Sequence, residues 1–140
     1  MTISINAQQV VTRTLMKPAT IGQPPPARYM HCMEYFQKSN IIIIAGGRND
    51  QLQTEKVMSD IWILKLSNLE WQRALLGGRD YLKPRFNFAS IILGTKLIIA
   101  GGIGHDFKFV QDYQEVELDQ NLVQKTFKKR SKIEFLRNQS

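Results

Sequence analysis

The sequence predicts an all-β chain built from a repeated antiparallel unit, and three features predict it. Two apolar, largely β-branched runs, Ile41-Ile42-Ile43-Ile44 and Leu97-Ile98-Ile99, each close on Ala-Gly-Gly, at Ala45-Gly46-Gly47 and Ala100-Gly101-Gly102. Short continuous apolar runs that end in glycine read as strands buried on both faces. Nothing in residues 28–120 sustains the 3.6-residue apolar period of a helix. Turn-forming residues recur between the apolar runs at hairpin spacing.

Taken in order, Thr2-Ile3-Ser4-Ile5 and Val10 to Leu15 read as two strands, and Gly22-Gln23-Pro24-Pro25-Pro26 as a link in which strand pairing stops. Gln37-Lys38-Ser39-Asn40 is a short polar turn into the isoleucine run. Asp60 to Leu66, with Ile61, Trp62, Ile63, Leu64 and Leu66, gives another strand that is apolar on both sides. Ser67-Asn68 turns the chain into Leu69-Glu70-Trp71, and Gly77-Gly78-Arg79-Asp80 is a second long link. Leu93-Gly94-Thr95-Lys96 is another hairpin turn. Val116 and Leu118 alternate with Glu115, Glu117 and Asp119, the pattern of a strand with one wet face.

The same ordered set occurs twice. Pro26-Ala27-Arg28-Tyr29-Met30-His31 parallels Lys83-Pro84-Arg85-Phe86-Asn87-Phe88, with Arg28 to Arg85 spaced by 57 positions. Gly46 to Gly101 is 55 positions, and Asp60-x-Trp62 to Asp112-x-Gln114 is 52. Three nearly equal spacings define one repeat, with the differences absorbed in loops. These residues resemble the kelch repeat of β-propellers. Its pattern of Pro-x-Arg, a strand histidine, Gly-Gly, Asp-aliphatic-aromatic and a last Trp falls on Pro26, Arg28, His31, Gly46, Gly47, Asp60, Trp62 and Trp71. The second copy keeps Arg85, Gly101, Gly102 and Asp112 but has Asn87 and Phe88 at the histidine, and Gln114 and Val123 for the aromatics.

The resemblance implies a partial propeller of about two and a half four-stranded antiparallel blades, not closed. Residues 1–20 are expected to supply the last two strands of a preceding blade, 21–27 a linker, 28–83 one full blade, 84–136 a second, degenerate blade and 137–140 a tail. The isoleucine run should lie in a blade interior, because a strand buried on both faces cannot be a sheet edge. Gly46 and Gly47 should permit backbone conformations with φ > 0 and close approach between blades. Trp62 and Trp71, nine residues apart around a tight turn, should share a face turned to a neighbouring blade. Arg28 and Arg85 should donate to loop carbonyls between blades, and His31 should make a structural hydrogen bond. Propellers close with 4–8 blades, so two and a half leave two blade faces uncovered. The chain is therefore expected to be a fragment of a longer propeller, and in isolation to associate, aggregate or unfold with poor cooperativity.

Composition narrows the function. Hydrophobic residues make up 43% and charged residues 22% of the 140 positions, which is globular and not disordered. No apolar stretch approaches the ~18 residues of a membrane span, and Met1 to Val10 has neither the basic nor the apolar region of a secretory signal. The net charge of +7 is local: residues 121–140 carry six Lys/Arg against Glu134. Lys125, Lys128, Lys129, Arg130 and Lys132 read first as a solvated strand or tail, and secondarily as a nuclear-localisation or phosphate-binding run. The single Cys32 cannot form an internal disulfide, which fits an intracellular, cytoplasmic setting.

Little in the sequence could carry chemistry. His31 and His105 are the two histidines, and no spaced His/Cys set suggests a metal site. Cys32 beside His31 is no nucleophile–base pair, since adjacent strand residues point to opposite faces. Gly101-Gly102-Ile103-Gly104 lacks the helix and Lys-Ser/Thr step of a phosphate loop. No catalytic residue, cofactor or metal is expected. The reading is a protein-binding scaffold or adaptor of unknown partner, with nucleic acid and membrane disfavoured and self-association through uncovered blade faces as a further route. The alternatives are the non-catalytic part of a propeller enzyme whose active site lies in other blades, or a nuclear, nucleic-acid-associated propeller. Partner contacts are expected on one loop face, from Arg48, Asn49, Asp50, Arg79, Asp80, Tyr81, His105, Asp106 and Phe107.

Overall fold

The computed structural model describes residues 2–5, 11–74 and 82–118. Its regular structure is antiparallel β, with one 3-10 turn at Gln37–Ser39 as the single helical segment among those residues. Strands β1 (Thr2–Ile5) and β2 (Val11–Thr14) form a two-stranded sheet in which Ile5 faces Val11. Strands β3 (Cys32–Phe36), β4 (Ile41–Ala45), β5 (Ile61–Lys65) and β6 (Glu70–Arg73) make a four-stranded sheet in sequential order. Strands β7 (Ala89–Leu93), β8 (Lys96–Ala100) and β9 (Tyr113–Glu117) make a three-stranded sheet, also in order. The strand expected around Val123 lies outside the described residues. The arrangement is an open stack of sheets, a partial propeller.

The turns between strands have local causes. Asn40 closes the 3-10 turn in the left-handed region at φ 51°, a conformation asparagine tolerates better than most residues. Gly94 takes φ 62° in the two-residue β7–β8 turn. The isoleucine strand β4 lies inside its sheet, between β3 and β5. Its burial alternates, however: Ile41, Ile43 and Ala45 are buried, and Ile42 and Ile44 are half-buried. Strand β8 does the same, with Leu97 and Ile99 buried and Ile98 half-buried. The expectation of burial on both faces is corrected for these two strands: alternate residues enter the cluster shared with the other sheet, and the residues between them are only half-buried on the opposite face.

That neighbour is the other sheet. Cys32, Phe36, Ile41, Ile43, Ala45, Ile61 and Ile63 of the first sheet form one cluster with Leu97, Ile99, Val116 and Leu118 of the second. Full burial of each isoleucine or leucine stabilises the fold by about 1.5–3 kcal/mol, so this interface is the main cohesive element. Ser90 Oγ donates to Glu34 Oε1 across it at 2.7 Å.

Backbone hydrogen bonds tie the sheets at their inner ends. Gly47 N–H donates to Arg85 C=O at 2.9 Å, Asn87 N–H to Met30 C=O at 3.0 Å and Arg85 N–H to Met58 C=O at 3.4 Å. The contact demands glycine, as expected from the repeat. A Cβ on Gly46, whose φ is +60°, would lie 2.8 Å from Arg85 O and 2.9 Å from the Phe88 ring.

The two arginines play a different part from the one expected. Arg28 donates from Nη1 to Gly46 O at 3.0 Å and pairs with both oxygens of Asp60, at 2.6 and 3.0 Å. Arg85 donates to Gly101 O at 3.0 Å and to Asp112 Oδ1 at 2.7 Å. Each arginine therefore closes its own sheet rather than bridging two, locking the Gly-Gly turn to the aspartate ahead of the third strand. The aspartate of the repeat is its counter-ion, which a planar guanidinium suits. His31 is a second correction. It precedes β3, and its Nδ1 is buried without a hydrogen-bond partner among the described residues.

Candidate functional site

Three segments converge where the strands give way to loops. The residue after each repeat arginine, Tyr29 or Phe86, pairs as an isolated bridge with the residue after each Gly-Gly, Arg48 or Ile103. This places the Arg48–Asp50 corner of the first sheet beside the Ile103–Phe109 loop of the second. The Arg48 guanidinium carbon lies 5.2 Å from the Phe86 ring centroid and 4.7 Å from that of Phe107. The two rings meet edge to face at 6.4 Å. Arg48 thus packs against both rings, of which Phe86 is buried and Phe107 exposed.

Asp50 completes the cluster. Its Oδ1 accepts from Arg48 Nε at 2.6 Å and its Oδ2 from the Tyr29 hydroxyl at 2.5 Å. The Tyr29 hydrogen bond, backed by the hydrogen bond and charge of Arg48, holds the Asp50 carboxyl below the usual range against the opposing effect of desolvation. The same hydrogen bond is the main cause that raises the Tyr29 phenol. At neutral pH the group is therefore Arg⁺, carboxylate and neutral phenol, a fixed network with an aromatic border. Tyr29, Met30, Phe107 and Phe109 are exposed around it, Phe109 at 83%.

Of the loop residues expected to bind, Arg48, Asp50 and Phe107 are brought together. Asn49 is instead committed to holding its loop, donating to Ala27 O at 2.8 Å and accepting from Gln51 N–H at 2.9 Å. Asp106 likewise accepts from Lys108 N–H at 3.1 Å, while His105 is exposed beside it. Arg79, Asp80 and Tyr81 lie outside the described residues, as do Lys125, Lys128, Lys129, Arg130 and Lys132. Sequence reasoning missed Tyr29, Phe86 and Phe109. The available signal was that an aromatic follows both Arg28 and Arg85 at the same repeat position.

The signature residues behind this face are structural. Burial alone would raise the Asp60 carboxyl, but hydrogen bonds from Arg28 and the Trp62 indole, together with the Arg28 charge, hold it below the usual range. Trp62 Nε1–H donates to Asp60 Oδ2 at 2.7 Å. In the second sheet Gln114 takes Trp62's place and accepts from Arg85 Nη2 at 2.9 Å and Lys83 N–H at 2.7 Å. Hydrogen bonding from Arg85 is also the main cause that holds Asp112 low. Trp62 and Trp71 share a sheet face, since Trp71 opposes Leu64 and Trp62 opposes Arg73. Cys32 is buried, and burial pushes its thiol up to about 11. Among the described residues, no group of three or more His, Cys, Asp and Glu side chains could hold a metal ion, and no helix is long and apolar enough to cross a membrane.

Comparison with known proteins agrees with this architecture. The family described as the KLHDC2/KLHL20/DRC7 Kelch-repeats domain matches residues 2–133. The tRNA wybutosine-synthesizing protein 2/3/4 of Arabidopsis thaliana is 30% identical over 65% of this chain, which covers 8% of that protein. The Rho GTPase-activating protein gacHH of Dictyostelium discoideum is 29% identical over 66% of the chain and 6% of its own length. The Rab9 effector protein with kelch motifs of Mus musculus is 28% identical over 76% of the chain and 28% of its length. The chain thus spans less than a third of each of these relatives. The paired Arg28–Asp60 and Arg85–Asp112 units, the two Gly-Gly turns and the family match place this chain in the kelch-repeat family.

Proposed function

We propose that the chain is a protein-interaction module, of scaffold or adaptor kind, that docks its partner on the loop face around Arg48 and Phe107. The observation that carries this is the Arg48 guanidinium packed against Phe86 and Phe107 and paired with Asp50, which the Tyr29 hydroxyl holds in turn. The cluster spans both sheets, so exposed aromatic surface is presented on a scaffold that need not reorganise on binding. Rigid aromatic and arginine groups are the usual anchors of protein interfaces, and preorganisation lowers the entropic cost of association. The relative named as a Rab9 effector with kelch motifs is in keeping with a binding role. The unpaired, buried Cys32 suits a reducing intracellular setting.

Photo-crosslinking tests the reading. A photoreactive residue at Phe109 should capture a defined protein partner, and the same residue at Lys38, on the turn at the far end of β3, should not. Phe107→Ala should abolish the Phe109 crosslink without lowering thermal stability appreciably. Equal capture at both positions, or capture indifferent to Phe107→Ala, sinks the proposal.

A further inference from the structure

The bonds that join the two sheets recur, unmade, at both ends of the stack. The pairs Arg28 and Arg85, Met30 and Asn87, Gly47 and Gly102, Met58 and Val110 occupy equivalent places. Met30 and Asn87 even share the unusual φ of 53° and 54°, and Gly47 and Gly102 take φ 100° and 91°. Inside the stack, Gly47 N–H, Met58 C=O and Met30 C=O of the first sheet meet Arg85 C=O, Arg85 N–H and Asn87 N–H of the second. At the trailing end, Gly102 N–H, Val110 C=O and Asn87 C=O make no hydrogen bond among the described residues. At the leading end, Arg28 C=O, Arg28 N–H and Met30 N–H are unpaired in the same sense. The free groups are complementary, donor for acceptor, in the order of the joint already made.

The side chains repeat the match. At Gly46 the space above the backbone is filled by the Phe88 ring, but among the described residues a Cβ on Gly101 would find nothing nearer than Val110 O at 3.8 Å. An open slot thus waits for the residue equivalent to Phe88, which at the leading end is His31, whose buried Nδ1 has no partner among the described residues. The trailing face presents Ile91, Leu93, Ile98 and Tyr113, with Ile91 52% exposed. The leading face presents Met33 and Tyr35, with Met33 65% exposed, beside Ile42 and Ile44. Ser90 meets Glu34 inside the stack, so the equivalent external contact sets Met33 against Ile91.

We propose that these two ends are one heterologous self-association site, in which the trailing sheet of one copy of this chain docks onto the leading sheet of a second copy. Gly102 N–H of one copy donates to Arg28 C=O of the next, and Met30 N–H of the next donates to Asn87 C=O. His31 enters the slot at Gly101, and Ile91 packs on Met33. The site continues an interface the chain already contains, which commits its occupant to a sheet with this same arginine–aromatic segment. Head-to-tail contacts extend or close according to the rotation per step.

Complementation of two one-sided variants tests this. Met33→Asp spoils the leading end and Ile91→Asp the trailing end, both at exposed positions where the sheet itself should tolerate the change. In sedimentation velocity the wild-type chain should associate with rising concentration. Each variant alone should sediment as a 16.1 kDa monomer, and their equimolar mixture should give a species of twice that mass. Tyr35→Asp and Leu93→Asp form a second pair, used if circular dichroism shows that either first variant has lost its sheet. A monomeric wild type overturns the proposal and assigns both ends to sheets of other sequence, such as further blades of a longer chain. Association of either variant alone, or a mixture that stays monomeric, overturns it as well.

Discussion

Loss of the Asp60 carboxylate should destabilise the chain far more than loss of Asp112, although the repeat makes them equivalents. The difference lies in what each arginine keeps. The Arg28 side chain is 3% exposed and its partner Asp60 14%. In Asp60→Ala, Arg28 retains Gly46 O and Pro26 O, but Nη2 loses its acceptor and the Trp62 indole N–H loses its own. Breaking a buried pair costs about 3–5 kcal/mol; the small exposure of Asp60 lets water relieve part of this, so about 3 kcal/mol is expected. Arg85 is 0% exposed and Asp112 47%. In Asp112→Ala every nitrogen of Arg85 keeps an acceptor, from Lys83 O, Gly101 O, the backbone carbonyl of residue 112 or Gln114 Oε1. About 1 kcal/mol is expected there, the net worth of one solvent-accessible hydrogen bond. Urea unfolding in the Met33→Asp background, where association is blocked, should separate the two midpoints by on the order of 1 M. Asp60→Asn, which keeps one acceptor, should fall between. A cost for Asp112→Ala equal to or above that of Asp60→Ala refutes this account of the arginines.

Four further outcomes follow from the same contacts. Burial, then the Arg28 charge, lowers the His31 pKa, so the unfolded chain binds that proton more readily, and stability should fall as pH drops below about 6.5. His31→Phe, which copies Phe88, should flatten that part of the pH–stability curve; an unchanged slope counts against it. The lowered Asp60 and Asp112 carboxyls stabilise the fold above about pH 4 and lose that contribution as pH falls further. Asp60→Asn should therefore unfold over a less steep acid transition, measured by tryptophan fluorescence. Gly46→Ala and Gly101→Ala both place a side chain at φ > 0, but only the first drives a Cβ into Arg85 O and Phe88. It should cost about 1–3 kcal/mol more by overpacking, and equal thermal shifts would show the sheets do not meet there. Cys32, buried with its thiol raised to about 11, should alkylate in the native chain orders of magnitude more slowly than in urea at pH 8.

How much of this was readable in advance depended on the range of the interaction. The strands, their hairpin order and the interior place of Ile41–Ile44 were legible because period, turn residues and repeat spacing are local properties of the chain. The need for glycine at position 46 was legible for the same reason, although its cause, the Arg85 carbonyl and Phe88 ring, lies some forty residues away. Burial on both faces of β4 and β8 was misjudged because an apolar residue records what a position can cover and not whether a neighbour covers it. The arginines were misassigned because Arg28 and Asp60 sit 32 positions apart, and only the sheet register brings the third strand's aspartate under the Gly-Gly turn. The loop cluster was half legible: Arg48, Asp50 and Phe107 stood out by their place on loops, but Tyr29 and Phe86 figured only as members of the repeated segment. Their importance follows from the one fact a linear reading lacks, that each pairs with the residue after Gly-Gly. The same geometric repetition leaves Arg28 and Met30 at one end, and Gly102 and Asn87 at the other, with donors and acceptors already spaced for another sheet. A repeat that satisfies its backbone by touching the next repeat carries an unsatisfied copy of that contact at every open end, and in this chain Ile91 and Met33 mark where that copy can be broken one side at a time.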